Sequence, residues 1–96
     1  MSNFKYRENE IIFEVEEYIE STYNQHYKSK KTDLQAVDVW EALGTLEWTS
    51  RDNALKYLLR YGKKDGKNKK DLLKAIHYII LMLYALEEEN RNAPTS

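Results

Sequence analysis

Ninety-six residues leave room for one hydrophobic core, and the lack of cysteine excludes disulfides and thiolate metal sites. The net charge of −1 is an unequal division: residues 1–50 carry five basic and ten acidic side chains, residues 51–96 ten basic and six acidic. A positive region this local suits a compact anion better than a long duplex, which asks for a broad basic face, so specific nucleic-acid binding is not expected.

The N-terminus MSNFKYRENE is polar and shows no signal peptide. The longest apolar run, residues 75–86, falls short of the roughly 20 residues that span a bilayer. The expectation is a soluble cytoplasmic protein without a membrane partner.

Ile11, Ile12, Val15, Ile19 and Tyr23 recur at spacings of three and four, which predicts a first helix over about 9–24 with one apolar stripe. The run KSKKT at 28–32 breaks it. Thr32-Asp33-Leu34-Gln35 has the form of a capping box for a second helix, which Gly44 would stop in the left-handed conformation. Thr49 or Ser50 would cap a third helix ending at Gly62, and Asn68 a fourth running to about residue 90. Residues 91–96 read as a frayed tail. Without repeats or alternating strand patterns, the chain reads as all-α: one compact four-helix domain over 1–96.

In the third helix Leu55, Leu58 and Leu59 share one side, which predicts the core face, while Asn53, Lys56 and Arg60 lie opposite beside Tyr57. The plainer reading of that second face is solvent exposure. Against it stand an asparagine in mid-helix and the rings of Tyr57 and Tyr61 among the charges, the arrangement a base with phosphates would use. The fourth helix places Leu72, Ile76, Ile79 and Leu83 on a core stripe, but Leu81, Met82 and Tyr84 fall partly outside it. That second apolar face predicts a homo-oligomer assembled through the last helix.

Between these helices, YLLRYGKKDGKNKKDLLK at 57–74 holds seven basic residues. Lys67, Lys69 and Lys70 sit at a helix start, where cations cost about 0.3–1 kcal/mol each. Folding is slightly opposed, yet ammonium groups and first-turn amides would together receive an anion, so Lys67 and Lys70 join the candidate site. The alternative is a merely soluble loop. The spacing is not that of a Walker loop.

Several stretches resemble a family of small phage-encoded domains: Gln25-His26-Tyr27, Val37-Asp38-Val39-Trp40-Glu41, the block Asn53-Ala54-Leu55-Lys56-Tyr57-Leu58-Leu59-Arg60-Tyr61-Gly62-Lys63-Lys64, and Asp71-Leu72-Leu73-Lys74-Ala75-Ile76-His77-Tyr78. The resemblance covers about residues 24–86, its central block is the specific part, and Asp52 stands where the pattern has glycine. The family is of unknown function, and its members are often labelled nucleotide kinases. The resemblance implies a functional set of His26, Tyr27, Asn53, Lys56, Tyr57, Arg60, Lys63 and Lys64, and a bacterial host cell as the location. Within that set Arg60 would take phosphate oxygens in a bidentate fork, with Lys56, Lys63 and Lys64 neutralising further charge. Asn53 could read a base or ribose edge, and Tyr57 or Tyr27 could stack on the base. His26 reads equally as a packing or a ligand residue.

Glu16-Glu17-x-x-Glu20 matches half of the glutamate pattern of all-α nucleotide pyrophosphohydrolases, but the second half is missing and a solvated face is the simpler account. Trp40 and Trp48 are expected to pack around the second turn. His77 lies opposite the fourth helix's stripe, where it suits a subunit contact, and no metal site or catalytic residue is assigned. The expectation is a non-enzymatic, homo-oligomeric phage protein that binds a phosphorylated nucleotide-type small molecule, with no cofactor, and so sequesters a nucleotide signal of host defence. One alternative is a nucleoside-monophosphate kinase, which would add Mg²⁺ and ATP. Another is an inhibitor that binds a host protein.

Overall fold

The computed structural model describes residues 3–29, 36–63 and 65–92, with residues 25–29 described by backbone alone. Four helices follow in order: α1 Glu8–Ser29, α2 Ala36–Leu43, α3 Leu46–Arg60 and α4 Lys69–Asn92. No strand occurs among the described residues, and the one extended pairing is an isolated bridge between Lys63 and Gly66. The fold is all-α, and it divides into two compact units, Met1–Asp33 and Leu34–Ser96.

In the first unit, Glu8 and Glu10 place negative charge in the first turn of α1, where the helix dipole favours it. The Ser21 and Thr22 hydroxyls donate back to the carbonyls of Tyr18 and Ile19 at 2.6 and 2.7 Å, so these polar residues sit within the helix without breaking it. Of the predicted stripe Val15 is buried and Ile19 half-buried, whereas Ile11, Ile12 and Tyr23 are exposed. The proposed capping box at Thr32–Gln35 lies outside the described residues.

The second unit is a helical hairpin of α3 and α4 with α2 packed beside α3. Gly44 ends α2 at φ 76°, the left-handed stop its position predicted. α3 then starts earlier than expected. Thr45 is its N-cap, without a side-chain capping bond. Ser50, expected as a cap, is instead fully buried in mid-helix.

That burial explains how the hairpin packs. On α3 the buried positions are Leu46, Ser50 and Ala54, one per turn; on α4 they are Asp71 and Ala75. Mostly small side chains at spacings of four let the two backbones approach closely. The helix turns that seam inward, and the leucines consequently face away. Leu55, Leu58 and Leu59 are 49%, 46% and 65% exposed, so the predicted core face of α3 is its outer face. α4 repeats the pattern. Leu72 and Ile76 are half-buried, but Ile79 and Leu83 are exposed. Trp40 is half-buried, its ring centroid 6.4 Å from that of Tyr78, while Trp48 lies exposed. Among the described residues no helix is long and apolar enough to cross a membrane.

Candidate functional site

Tyr57 occupies the last turn of α3, and Tyr78 of α4 stacks on it with centroids 6.0 Å apart and planes 10° from parallel. Three cations gather on the same ring. The Nζ atoms of Lys56 and Lys74 lie 4.6 and 5.1 Å from its centroid, and the Arg60 guanidinium carbon 5.0 Å. Helical spacing explains two of them, since residues 56 and 60 flank 57 on adjacent turns; the hairpin delivers the third from α4. None of the three forms an ion pair among the described residues.

The energetics make this cluster unusual. Charges held within about 10 Å repel by roughly 0.4–2 kcal/mol per pair, depending on solvent access. Each contact with the ring returns about 0.5–1 kcal/mol at an exposed site. The ring therefore keeps the cations in place without neutralising them. An added anion would relieve all three at once.

The corner beyond Tyr57 is tightly held. Gly62 and Gly66 adopt φ 84° and 69°, and the Gly62 amide donates to the Gly66 carbonyl at 2.8 Å. The Lys63 amide donates to Arg60 O and the Asn68 amide to Gly66 O, each at 3.0 Å. Lys63, Lys67 and Lys70 are exposed on this corner. Asn68 caps α4 as its position predicted, its Oδ1 accepting from the Lys70 amide at 2.9 Å and its carbonyl from the Asp71 amide at 3.0 Å. Two first-turn amides are thus already bonded, and the positive potential of the corner comes chiefly from side chains. Below it Asp71 is 5% exposed, with Oδ2 lacking a hydrogen-bond partner among the described residues.

Asn53 has a local reason to stand in mid-helix: its Nδ2 donates to the Thr49 carbonyl at 2.9 Å. Of the residues expected to act together, Lys56, Tyr57 and Arg60 converge, while Lys63, Lys67 and Lys70 line the adjoining loop and helix start. The side chains of His26, Tyr27 and Lys64 lie outside the described set. Around Tyr57, which was expected to stack on a base, Tyr78 and the three cations gather. Lys74 and Tyr78 were not assigned to the site beforehand. Lys70, Lys74 and Tyr78 recur at a spacing of four along one side of α4, but that spacing alone does not place them against Tyr57.

The far end of the hairpin is acidic. A cavity of about 350 Å³ is lined by Glu41, Glu47, Glu88 and Glu89 with Trp48 and Tyr84. The Tyr84 hydroxyl donates to Glu41 Oε2 at 2.6 Å. This hydrogen bond, reinforced by the carboxylate's charge, raises the phenol's pKa above its ordinary value. Between the two ends, burial lowers the pKa of half-buried His77. Among the described residues no three His, Cys, Asp or Glu side chains are grouped to hold a metal ion.

The pattern of a family described as protein of unknown function (DUF3310) matches residues 19–80. This chain belongs to that family. The DUF3310 region takes in α2, α3 and the first half of α4, so Lys56, Tyr57, Arg60, Lys74 and Tyr78 all fall inside it, whereas Tyr84, Glu88 and Glu89 fall outside. No curated protein and no solved structure matches the chain.

Proposed function

We propose that this protein binds a phosphorylated, nucleotide-type small molecule at the corner between α3 and α4. The observation that carries the reading is the gathering of Lys56, Arg60 and Lys74 around Tyr57 with no carboxylate among the described residues paired to any of them. Arg60 supplies a planar fork for two phosphate oxygens, and the lysines supply point charges for the rest. Lys63, Lys67 and Lys70 extend the positive field and draw the ligand in. The resemblance to phage-encoded domains suggests the use: capture of a signalling nucleotide in an infected bacterium. Self-association through the last helix belongs to the same reading, supported by the exposure of Ile79, Ile80, Leu83 and Leu86.

Calorimetry against mononucleotides, cyclic nucleotides and ADP-ribose tests the binding, with inorganic phosphate as a competitor. At least one nucleotide should bind in a salt-sensitive way. Silence across the whole panel would remove the proposal. Incubating the tightest ligand with the protein, ATP and Mg²⁺ then separates capture from turnover: a captured ligand is recovered unchanged.

A further inference from the structure

Residues 53–78 run from the second half of α3 through the corner to the first turns of α4, and they hold eight basic side chains against two acidic ones, Asp65 and Asp71. Neither acid relieves the cations around Tyr57. Asp65 is exposed on the loop, and Asp71 is buried one turn before Lys74 without an ion pair among the described residues. Arg60 and Lys74 are themselves half-buried, which removes part of the water that would otherwise stabilise their charge. Lys56, Arg60 and Lys74 are thus three positive charges that neither solvent nor a carboxylate offsets in full.

Charge then decides which kind of phosphate fits. A cyclic phosphodiester carries one negative charge, and a terminal phosphomonoester about −1.5 to −2 at neutral pH. Either leaves part of the cluster unbalanced. A second phosphate linked to the first brings the total to about −3, which matches the three cations. The placement of the cations agrees. Lys56 and Arg60 stand one turn apart on α3 and can serve one phosphate group together, the guanidinium as a planar fork. Lys74 comes alone from α4, with its Nζ 5.1 Å from the centre of the Tyr57 ring, and as a point charge it suits the oxygens of a neighbouring group.

We infer, resting on the nucleotide reading above, that the ligand carries a chain of at least two linked phosphates with a free terminal one, as a nucleoside di- or triphosphate does, and that Lys74 selects for the second phosphate. Mononucleotides and cyclic nucleotides are then the weaker ligands of this site. The surplus of six positive charges over residues 53–78 favours the longer chain in the same direction.

Calorimetry without divalent cations, which would themselves neutralise the phosphates, compares the mono-, di- and triphosphates and the 3′,5′-cyclic monophosphate of each common nucleoside. The diphosphate should bind about ten-fold more tightly than the monophosphate, the worth of one further charge-assisted contact, and the cyclic form more weakly than either. Inorganic tripolyphosphate should displace the triphosphate. Lys74→Ala should lower the ratio of diphosphate to monophosphate affinity at least three-fold, whereas Lys74→Arg, which keeps the charge, should preserve it. A merely structural lysine would weaken both ligands alike. Should Lys74→Ala fail to fold, the wild-type series decides alone. Equal affinities along the series, a preference for the cyclic form, or an unchanged ratio in folded Lys74→Ala would overturn the inference and leave the nucleotide reading standing. Silence of every nucleotide would remove that reading, and the inference with it.

Discussion

Arg60 carries the sharpest consequence at the scale of single residues. Its guanidinium lies 5.0 Å from the centre of Tyr57 and has no ion-pair partner among the described residues, so truncation removes charge without unpairing a carboxylate. Arg60→Ala should weaken nucleotide binding by about 10–100-fold, the worth of one or two charge-assisted hydrogen bonds, with a shift of only a few degrees in Tm. Calorimetry and a thermal melt on the same preparation check both halves. Unfolding instead would make Arg60 a structural residue. His77 gives a pH signature of opposite character. Burial lowers its pKa from the ordinary 6.5, so just below that pH the unfolded chain binds more protons than the folded one. Stability from this group is complete above pH 6.5 and declines as pH falls towards the lowered value. Thermal melts across this range should show the decline, and His77→Gln should flatten it. Identical slopes in the two proteins would mean that another group titrates.

Among the elements, the α3–α4 seam makes a prediction that the leucine pattern alone would not. Ser50 is completely buried, and its Oγ has no hydrogen-bond partner among the described residues. Ser50→Ala should therefore hold or raise stability, by up to about 1 kcal/mol, since it removes an unsatisfied hydroxyl and adds helix propensity. Ser50→Leu should cost about 1–3 kcal/mol by overpacking where the backbones meet. Denaturant melts measure both, and the reverse order would place the seam elsewhere. Gly62→Ala should also destabilise, by about 1–2 kcal/mol, because φ 84° strains any residue with a β-carbon although the surrounding space is open. Four helices, the Gly44 and Gly62 stops and the Asn68 cap were all legible in the sequence, because each depends on local periodicity or on one residue's own backbone preference. The packing face of α3 was not. Periodicity shows which residues share a side but not which side finds a neighbour, and here small residues won over large ones by permitting closer approach. The same limit hid Lys74: its place in the site depends on how α4 returns along α3, and residue spacing within one helix does not record that.

For the whole molecule, positive charge collects at the α3–α4 corner, and Glu41, Glu47, Glu88 and Glu89 line the cavity at the other end of the hairpin. A near-neutral chain thus presents a strongly basic site, and ligand affinity should fall with added salt more than the net charge of −1 would suggest. Self-association through the last helix, as proposed above, would link folding to assembly, so Tm should rise with protein concentration. A Tm constant over a hundredfold dilution would show a self-sufficient monomer. The central claim, that Lys56, Arg60 and Lys74 form an anion receptor awaiting its ligand, is most directly tested by one calorimetric comparison. The wild type and Lys56→Ala/Arg60→Ala/Lys74→Ala are titrated with the nucleotide that binds the wild type most tightly. The account predicts clear heat from the wild type and none above dilution from the folded variant, whereas equal affinities in the two proteins would contradict it.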